Sequence, residues 1–363
     1  MCNTRRLSAG QGIAKPRIQR HDGKQGLKKA PATTGYGAAI RDGFEHLLAN
    51  HSEVFAIGQG LWSPWYVGNS MTDLDSQFGR ERVIDTPVSE LGCTGAALGA
   101  ALCGYRPVVI HPRVDFMLLA VDQIVTQAAK WRSMFGGQVS APITVRAIIN
   151  RGGEQGAQHS QSLQSWFAHI PGLRVVMPST PTDARDLLIA SVLSDDPVLY
   201  LDDRWLYGLE EELPPIQERN LAKEGPRLTR TGPDLTLVGS SYSAHLCREA
   251  AARLSANGIE CDVIDIRVLN PLDATLIISS VKKTGRLLAI DGDWRSCGMA
   301  AEVIASIAEA LDPRVMRAAP RRVTLPDAPA PTSNPLERSY YPTVDYIVQR
   351  ALALVGAQQE TFE

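Results

Sequence analysis

Arg82-Val83-Ile84-Asp85-Thr86-Pro87-Val88-Ser89-Glu90-Leu91-Gly92 reads as a short strand, a turn, and the start of a helix with an acid in its first turn. The Gly- and Ala-rich run that follows, Leu91 to Gly104, suits a helix lying close against its neighbours. The same alternation extends in both directions. Upstream lie a helical pattern at 36–49 and the apolar strand Val54-Phe55-Ala56-Ile57-Gly58. Downstream, strands are expected at 106–110, 143–149, 173–177 and 197–201, with helical patterns at 117–135 and 181–194. Strands alternating with helices predict an α/β fold whose parallel sheet is covered on both faces.

A second alternation follows residue 234: strands at 235–238, 259–266 and 286–290, and helices at 242–257, 271–282, 297–311 and 343–355. Between the two halves, a stretch rich in Pro, Gly and charge shows no periodic element and is expected to be a linker. The expected organisation is a basic tail over 1–34, an α/β domain over 35–213, a linker over 214–233 and a second α/β domain over 234–357. Pro326 to Pro335 reads as an extended connection.

Composition narrows the function classes. The 363 residues are 44% hydrophobic and 21% charged with a net charge of −2, which is globular composition. Charge is uneven: residues 1–34 carry +7 and the rest −9, so the tail reads as a disordered extension and the acidic body makes nucleic acid a poor partner. The six cysteines form no CxxC or Cys/His cluster, no apolar run reaches membrane-spanning length, and a soluble cytoplasmic protein is expected. Gly58-Gln59-Gly60 lacks the third glycine of a dinucleotide fingerprint, and there is no phosphate loop, GxSxG elbow or metal-ligand spacing. No metal site is expected in this chain.

Several separate segments together resemble one family. They are Val83 to Glu90, Gly95 to Gly104 followed by Arg106-Pro107, Asp122-Gln123-Ile124 leading to Ala128-Ala129-Lys130, Gln158-His159-Ser160-Gln161, His169-Ile170-Pro171-Gly172-Leu173, and Arg267 to Asp273. From about Tyr36 to Val355 the chain resembles the β subunits of the thiamine-diphosphate-dependent decarboxylating component of 2-oxo acid dehydrogenases, of the pyruvate, branched-chain and acetoin types. The resemblance implies a transketolase-like pyrimidine-binding domain followed by a transketolase C-terminal-type domain.

It also implies roles for particular residues. Taken alone, Glu90 beside Ser89 reads as a helix cap and a dipole complement. In the family, a glutamate here hydrogen-bonds the aminopyrimidine ring of thiamine diphosphate, favouring the tautomer that removes the thiazolium proton; the thiazolium then takes up electrons as carbon dioxide leaves. Phe116 matches the aromatic that packs on that ring, against the plainer reading of a core side chain. His159 matches a histidine facing the reacting centre, against that of a loop histidine, whereas His169 reads as structural.

The departures are as informative. Gln59, a candidate cofactor-binding residue, stands where the family usually has a glutamate that forms part of an acidic route between paired active sites, and an amide cannot relay a proton in the same way. In Ile110-His111-Pro112-Arg113-Val114-Asp115, an acid is usual at the position of Ile110 and no arginine at that of Arg113. Arg113 either pairs with a substrate carboxylate or phosphate or forms a surface or interface salt bridge. The Gly-Asp-Gly and Asn signature that holds the diphosphate through magnesium is absent, and Asp291-Gly292-Asp293-Trp294 has the wrong order. The resemblance therefore implies an α-type partner supplying the diphosphate and Mg contacts, self-association in a heterotetramer, and a lipoyl acyltransferase as acceptor. Two other readings remain: the small subunit of a split transketolase, to which Ala-Glu-Gln rather than Ser89-Glu90 is usual, and a non-catalytic assembly subunit.

Overall fold

The structure, a computed structural model, describes residues 33–356. Apart from Thr33 and Thr34, the basic stretch 1–34 lies outside the described residues, as does residue 357. The strands in chain order are β1 (Thr34–Gly35), β2 (Val54–Gly58), β3 (Val83–Asp85), β4 (Arg106–His111), β5 (Thr144–Ile149), β6 (Arg174–Val176), β7 (Val198–Asp203), β8 (Glu210–Glu211), β9 (Arg227–Arg230), β10 (Leu235–Gly239), β11 (Cys261–Asp265), β12 (Val268–Asn270), β13 (Leu287–Trp294) and β14 (Arg321–Leu325).

Seven of them form one sheet in the order β12-β6-β7-β5-β4-β2-β3, parallel except for β12. Five form a second sheet, β14-β13-β10-β11-β9, parallel except for β9. The expected pair of α/β sheets is therefore present, each with one antiparallel edge. β1 and β8 make a separate antiparallel pair.

Continuous apolar runs form these strands because both faces of each sheet are covered. Along β7, Val198 and Tyr200 enter the core under helices Tyr36–Asn50 and Pro181–Val192, while Leu199 and Leu201 point the other way. That other core is shared, since it also takes Val238 and Ile264 of the second sheet and Met299 and Val303 of helix Met299–Ala310. Helices Ser241–Ser255 and Val344–Gly356 cover the far face of the second sheet.

Several local expectations differ from the structure. The stretch 214–233 contains a turn at Leu221–Lys223 and the whole of β9. The helix expected over 117–135 is broken into helical pieces at Val114–Met117, Leu118–Ala120, Asp122–Ala128 and Ala129–Met134, the third of them π-helical. The helix expected from 271 starts at Thr275, whose backbone N–H is held by the Asp273 carboxylate at 2.9 Å. The Pro-rich stretch runs into helix Asn334–Tyr340, with Pro335 in its first turn, where a missing N–H costs nothing. Among the described residues, no helix is long and apolar enough to cross a membrane.

Candidate active site

In the strand order, β3 and β4 lie on opposite sides of β2. The connections leaving their carboxyl ends therefore diverge and open a crevice, the usual ligand position in parallel sheets. Gly58 ends β2 between Asp85 and Ile110. A side chain there would collide with the sheet, because a Cβ on Gly58 would sit 2.4 Å from the Ile110 carbonyl oxygen.

Two bonds shape the turn into the next helix: Thr86 N–H donates to the Gly58 carbonyl at 2.9 Å, and Gly60 N–H donates to the Asp85 carboxylate at 2.7 Å. Helix Glu90–Leu102 then begins with Glu90 itself. Ser89 precedes it but its side chain makes no capping bond, so the expected cap is not formed. Glu90 is half-buried, and its carboxylate has no hydrogen bond or ion pair among the described residues. It lines a cleft of about 250 Å³ together with Gln59, Tyr66, Val88, Arg113 and Phe116. Gln59 is held there by donating from Nε2 to the Tyr66 hydroxyl at 3.0 Å.

Phe116 is 40% exposed and separates this cleft from a second one of about 490 Å³ lined by Asp115, Gln158, Gln161, Trp294 and Pro329. The His159 ring stands edge-on to Phe116, with centroids 5.3 Å apart. The structure thus brings Glu90, Gln59, Arg113 and Phe116 around one cavity and sets His159 behind the aromatic wall. His169 lies elsewhere, exposed at the end of helix Gln164–Ala168.

Two groups near the site carry no role in the sequence reading. Asp115 is buried, accepts from Gln161 N–H at 3.0 Å, and so ties the His159 loop to the Phe116 turn. Burial raises its pKa, against the Gln161 bonds and the nearby His159. His111, also buried, bonds Thr94 Oγ1 at 3.3 Å, and burial holds its pKa down to about 4, so it is neutral at pH 7. Its signal was its place at the end of an otherwise apolar strand.

Asp291 and Asp293 on β13 form a latch. Asp291 accepts from Gln164 Nε2 at 3.1 Å and Ala300 N–H at 2.9 Å, and Asp293 accepts from Ser165 N–H at 3.4 Å. Burial, then the Asp291 charge, raises the Asp293 pKa. Arg151 pairs with Asp203 and donates to the Gly292 carbonyl at 3.0 Å. The second domain thereby anchors both ends of the loop that carries His159. One group of potential metal ligands occurs among the described residues: His46, His51 and Glu218, with both rings donating to the Glu218 carboxylate at 2.9 and 2.8 Å. It lies at the start of β2, the end away from Gly58.

The transketolase pyrimidine-binding domain matches residues 32–208, and the transketolase C-terminal domain matches residues 225–347. The acetoin:2,6-dichlorophenolindophenol oxidoreductase subunit beta of Cupriavidus necator is 40% identical over 277 residues, 75% of this chain and 80% of that protein. The Bacillus subtilis protein of the same name is 41% identical over 78% of this chain and 82% of its own length. The human mitochondrial pyruvate dehydrogenase E1 component subunit beta is 35% identical over 85% of this chain and 87% of its own. A solved split gene transketolase, described as an inactive beta4 tetramer, superposes with a TM-score of 0.73 at 18% identity, covering 90% of this chain and 100% of its own, and supports the fold. By its domains and by these relatives, the chain belongs to the transketolase-like family of 2-oxo acid dehydrogenase E1 β subunits, which is thiamine-diphosphate dependent.

Proposed function

We propose that this chain is the β-type half of a two-subunit enzyme that decarboxylates a 2-oxo acid and passes the acyl or aldehyde unit to an acceptor such as a lipoyl group. The observation that carries this reading is the Glu90 carboxylate, without a partner among the described residues, in a cleft walled by Phe116. A flat aminopyrimidine needs such a pair: an acid for a ring nitrogen and an apolar face to fix the plane. Thiamine diphosphate, when bound, supplies the electron sink for loss of carbon dioxide.

Glu90 would hold and exchange a proton at its carboxylate oxygens, and Phe116 would orient the ring and exclude water. Gln59, fixed by Tyr66, would act as a hydrogen-bonding wall without transferring a proton. His159, kept in place by the Asp115 and β13 contacts to its loop, would move a proton at an imidazole nitrogen toward the acceptor. Diphosphate and magnesium fall to an α-type partner in a heterotetramer, since Asp291 and Asp293 are engaged in the latch. Residues 35–213 form the pyrimidine-side domain, 214–233 the connection and 234–357 the second domain, in a protein of the cytoplasm.

The test is the chain co-purified with a partner bearing the Gly-Asp-Gly and Asn signature. Calorimetric titration with thiamine diphosphate and magnesium, followed by carbon dioxide release from a 2-oxo acid panel, should show binding and turnover. Glu90→Gln should lower turnover by about 10²–10⁴ with assembly intact. Unchanged turnover in Glu90→Gln overturns the assignment. Binding without release from any 2-oxo acid favours ketol transfer, and no binding by an assembled complex favours an assembly subunit.

A further inference from the structure

Resting on that reading of the cleft, we infer that Arg113 is a specificity residue and that the substrate carries an anionic group, carboxylate or phosphate, remote from the carbonyl that reacts. Arg113 sits in the turn between β4 and the helical piece Val114–Met117, with extended backbone, and lines the cleft that holds Glu90 and Phe116. Its guanidinium makes no ion pair or hydrogen bond among the described residues, and its Nη1 is shut off from solvent without an acceptor. Buried arginines elsewhere in the chain are paired: Arg146 with Asp202, Arg151 with Asp203, Arg267 with Asp183 and Glu224.

A cation without an anion in a partly apolar wall is costly by itself and becomes favourable when a carboxylate or phosphate takes its fork. The one carboxylate lining the same cleft, Glu90, forms no ion pair with Arg113. Val88, Pro112, Phe116 and Leu119 line it with apolar surface, and the neighbouring imidazole of His111 is buried and neutral. The anion recognised is one that persists through the reaction. A guanidinium on the carboxylate that leaves as carbon dioxide would stabilise the starting charge more than the transition state, where that charge has moved away, and would slow the step. Binding a distal anion instead adds affinity and discrimination while leaving the reacting carbon free.

The test uses the co-purified complex with thiamine diphosphate and magnesium and compares matched pairs: 2-oxoglutarate against 2-oxopentanoate for a distal carboxylate, and xylulose 5-phosphate against xylulose for a distal phosphate. In one pair the charged member should be favoured at least about 100-fold in kcat/KM, and which pair responds identifies the anion. Arg113→Gln should bring that preference below about tenfold, through a higher KM for the charged member; Arg113→Lys should keep part of it. Separately, tryptophan fluorescence titrations with glutarate and inorganic phosphate should show saturable binding of one of them, lost in Arg113→Gln. This second arm reads Arg113 even if no substrate turns over, so it fails independently of the proposed reaction. No charge preference in a turning-over wild type overturns the inference. So does binding of glutarate or phosphate that Arg113→Gln leaves unchanged, or binding of neither. Loss of complex assembly by sedimentation, or weakened thiamine diphosphate binding, with the charge preference intact also overturns it and makes Arg113 an interface or cofactor residue.

Discussion

Arg146 and Arg113 belong to neighbouring parts of one sheet, the middle of β5 and the turn just past β4, and the fold surrounds them in opposite ways. Arg146 is wholly buried and spends its guanidinium on both Asp202 oxygens, at 3.1 and 2.9 Å, on Ser70 Oγ at 2.8 Å and on the Tyr207 hydroxyl at 2.9 Å. Arg113 lines an open cleft and has none of these. The same holds for acids: Asp262 on β11 accepts from Gly232 N–H at 2.9 Å, Ser280 Oγ at 2.5 Å and Lys283 Nζ at 2.7 Å, whereas Glu90 accepts from nothing among the described residues. Arg146 and Asp262 are satisfied within the chain, whereas the charges just past the carboxyl ends of β3 and β4 are left for something else to satisfy.

The strongest way to break the contrast is at Glu90. If its carboxylate is held for a ligand, Glu90→Gln costs about 10²–10⁴ in turnover of the loaded complex while its urea midpoint stays that of wild type. Arg146→Met should do the reverse, destabilising the chain by about 3–5 kcal/mol because Asp202 is left buried and unpaired, and Arg146→Met with Asp202→Leu should recover much of that loss in urea unfolding.

His111 sharpens the comparison through pH. Its native pKa of about 4 lies below the ordinary 6.5 of the unfolded chain. Between those values the unfolded chain binds the extra proton, so stability is full above pH 6.5 and falls as pH drops toward 4, on the order of 3 kcal/mol in all. Urea midpoints across that window should lose this slope in His111→Phe. The smallest effect belongs to Arg113: with no partner to lose among the described residues, Arg113→Met should change the unfolding free energy in urea by no more than about 0.5 kcal/mol, and a loss above about 2 kcal/mol would reveal a partner.

The layers were legible because they follow from local pattern: apolar runs of five or six residues, periodic helices, and the strand-turn-helix at Val83 to Leu102. β9, β12 and β14 were not, since a short edge strand is defined by the strand it pairs with. β12 has three residues and pairs with β6 about 90 residues earlier. At the site, Glu90 and Phe116 were found by resemblance. Asp115 and His111 were passed over because their meaning is burial, and burial is set by distant segments. Asp291 and Asp293 were noticed as a broken motif, and their bonds to Gln164 and Ser165 are visible only once the two sheets are packed.

β12 has a practical consequence. Its three residues belong to the second half of the chain but finish the border of the first half's sheet, and Asn270 Nδ2 fastens them by donating to the Ile170 carbonyl at 3.1 Å. A truncation at residue 233 would therefore strip β6 of its outer neighbour and leave an open row of N–H and C=O groups, a template for chain-to-chain aggregation. The two halves are stitched, so neither is a fragment to be expressed alone.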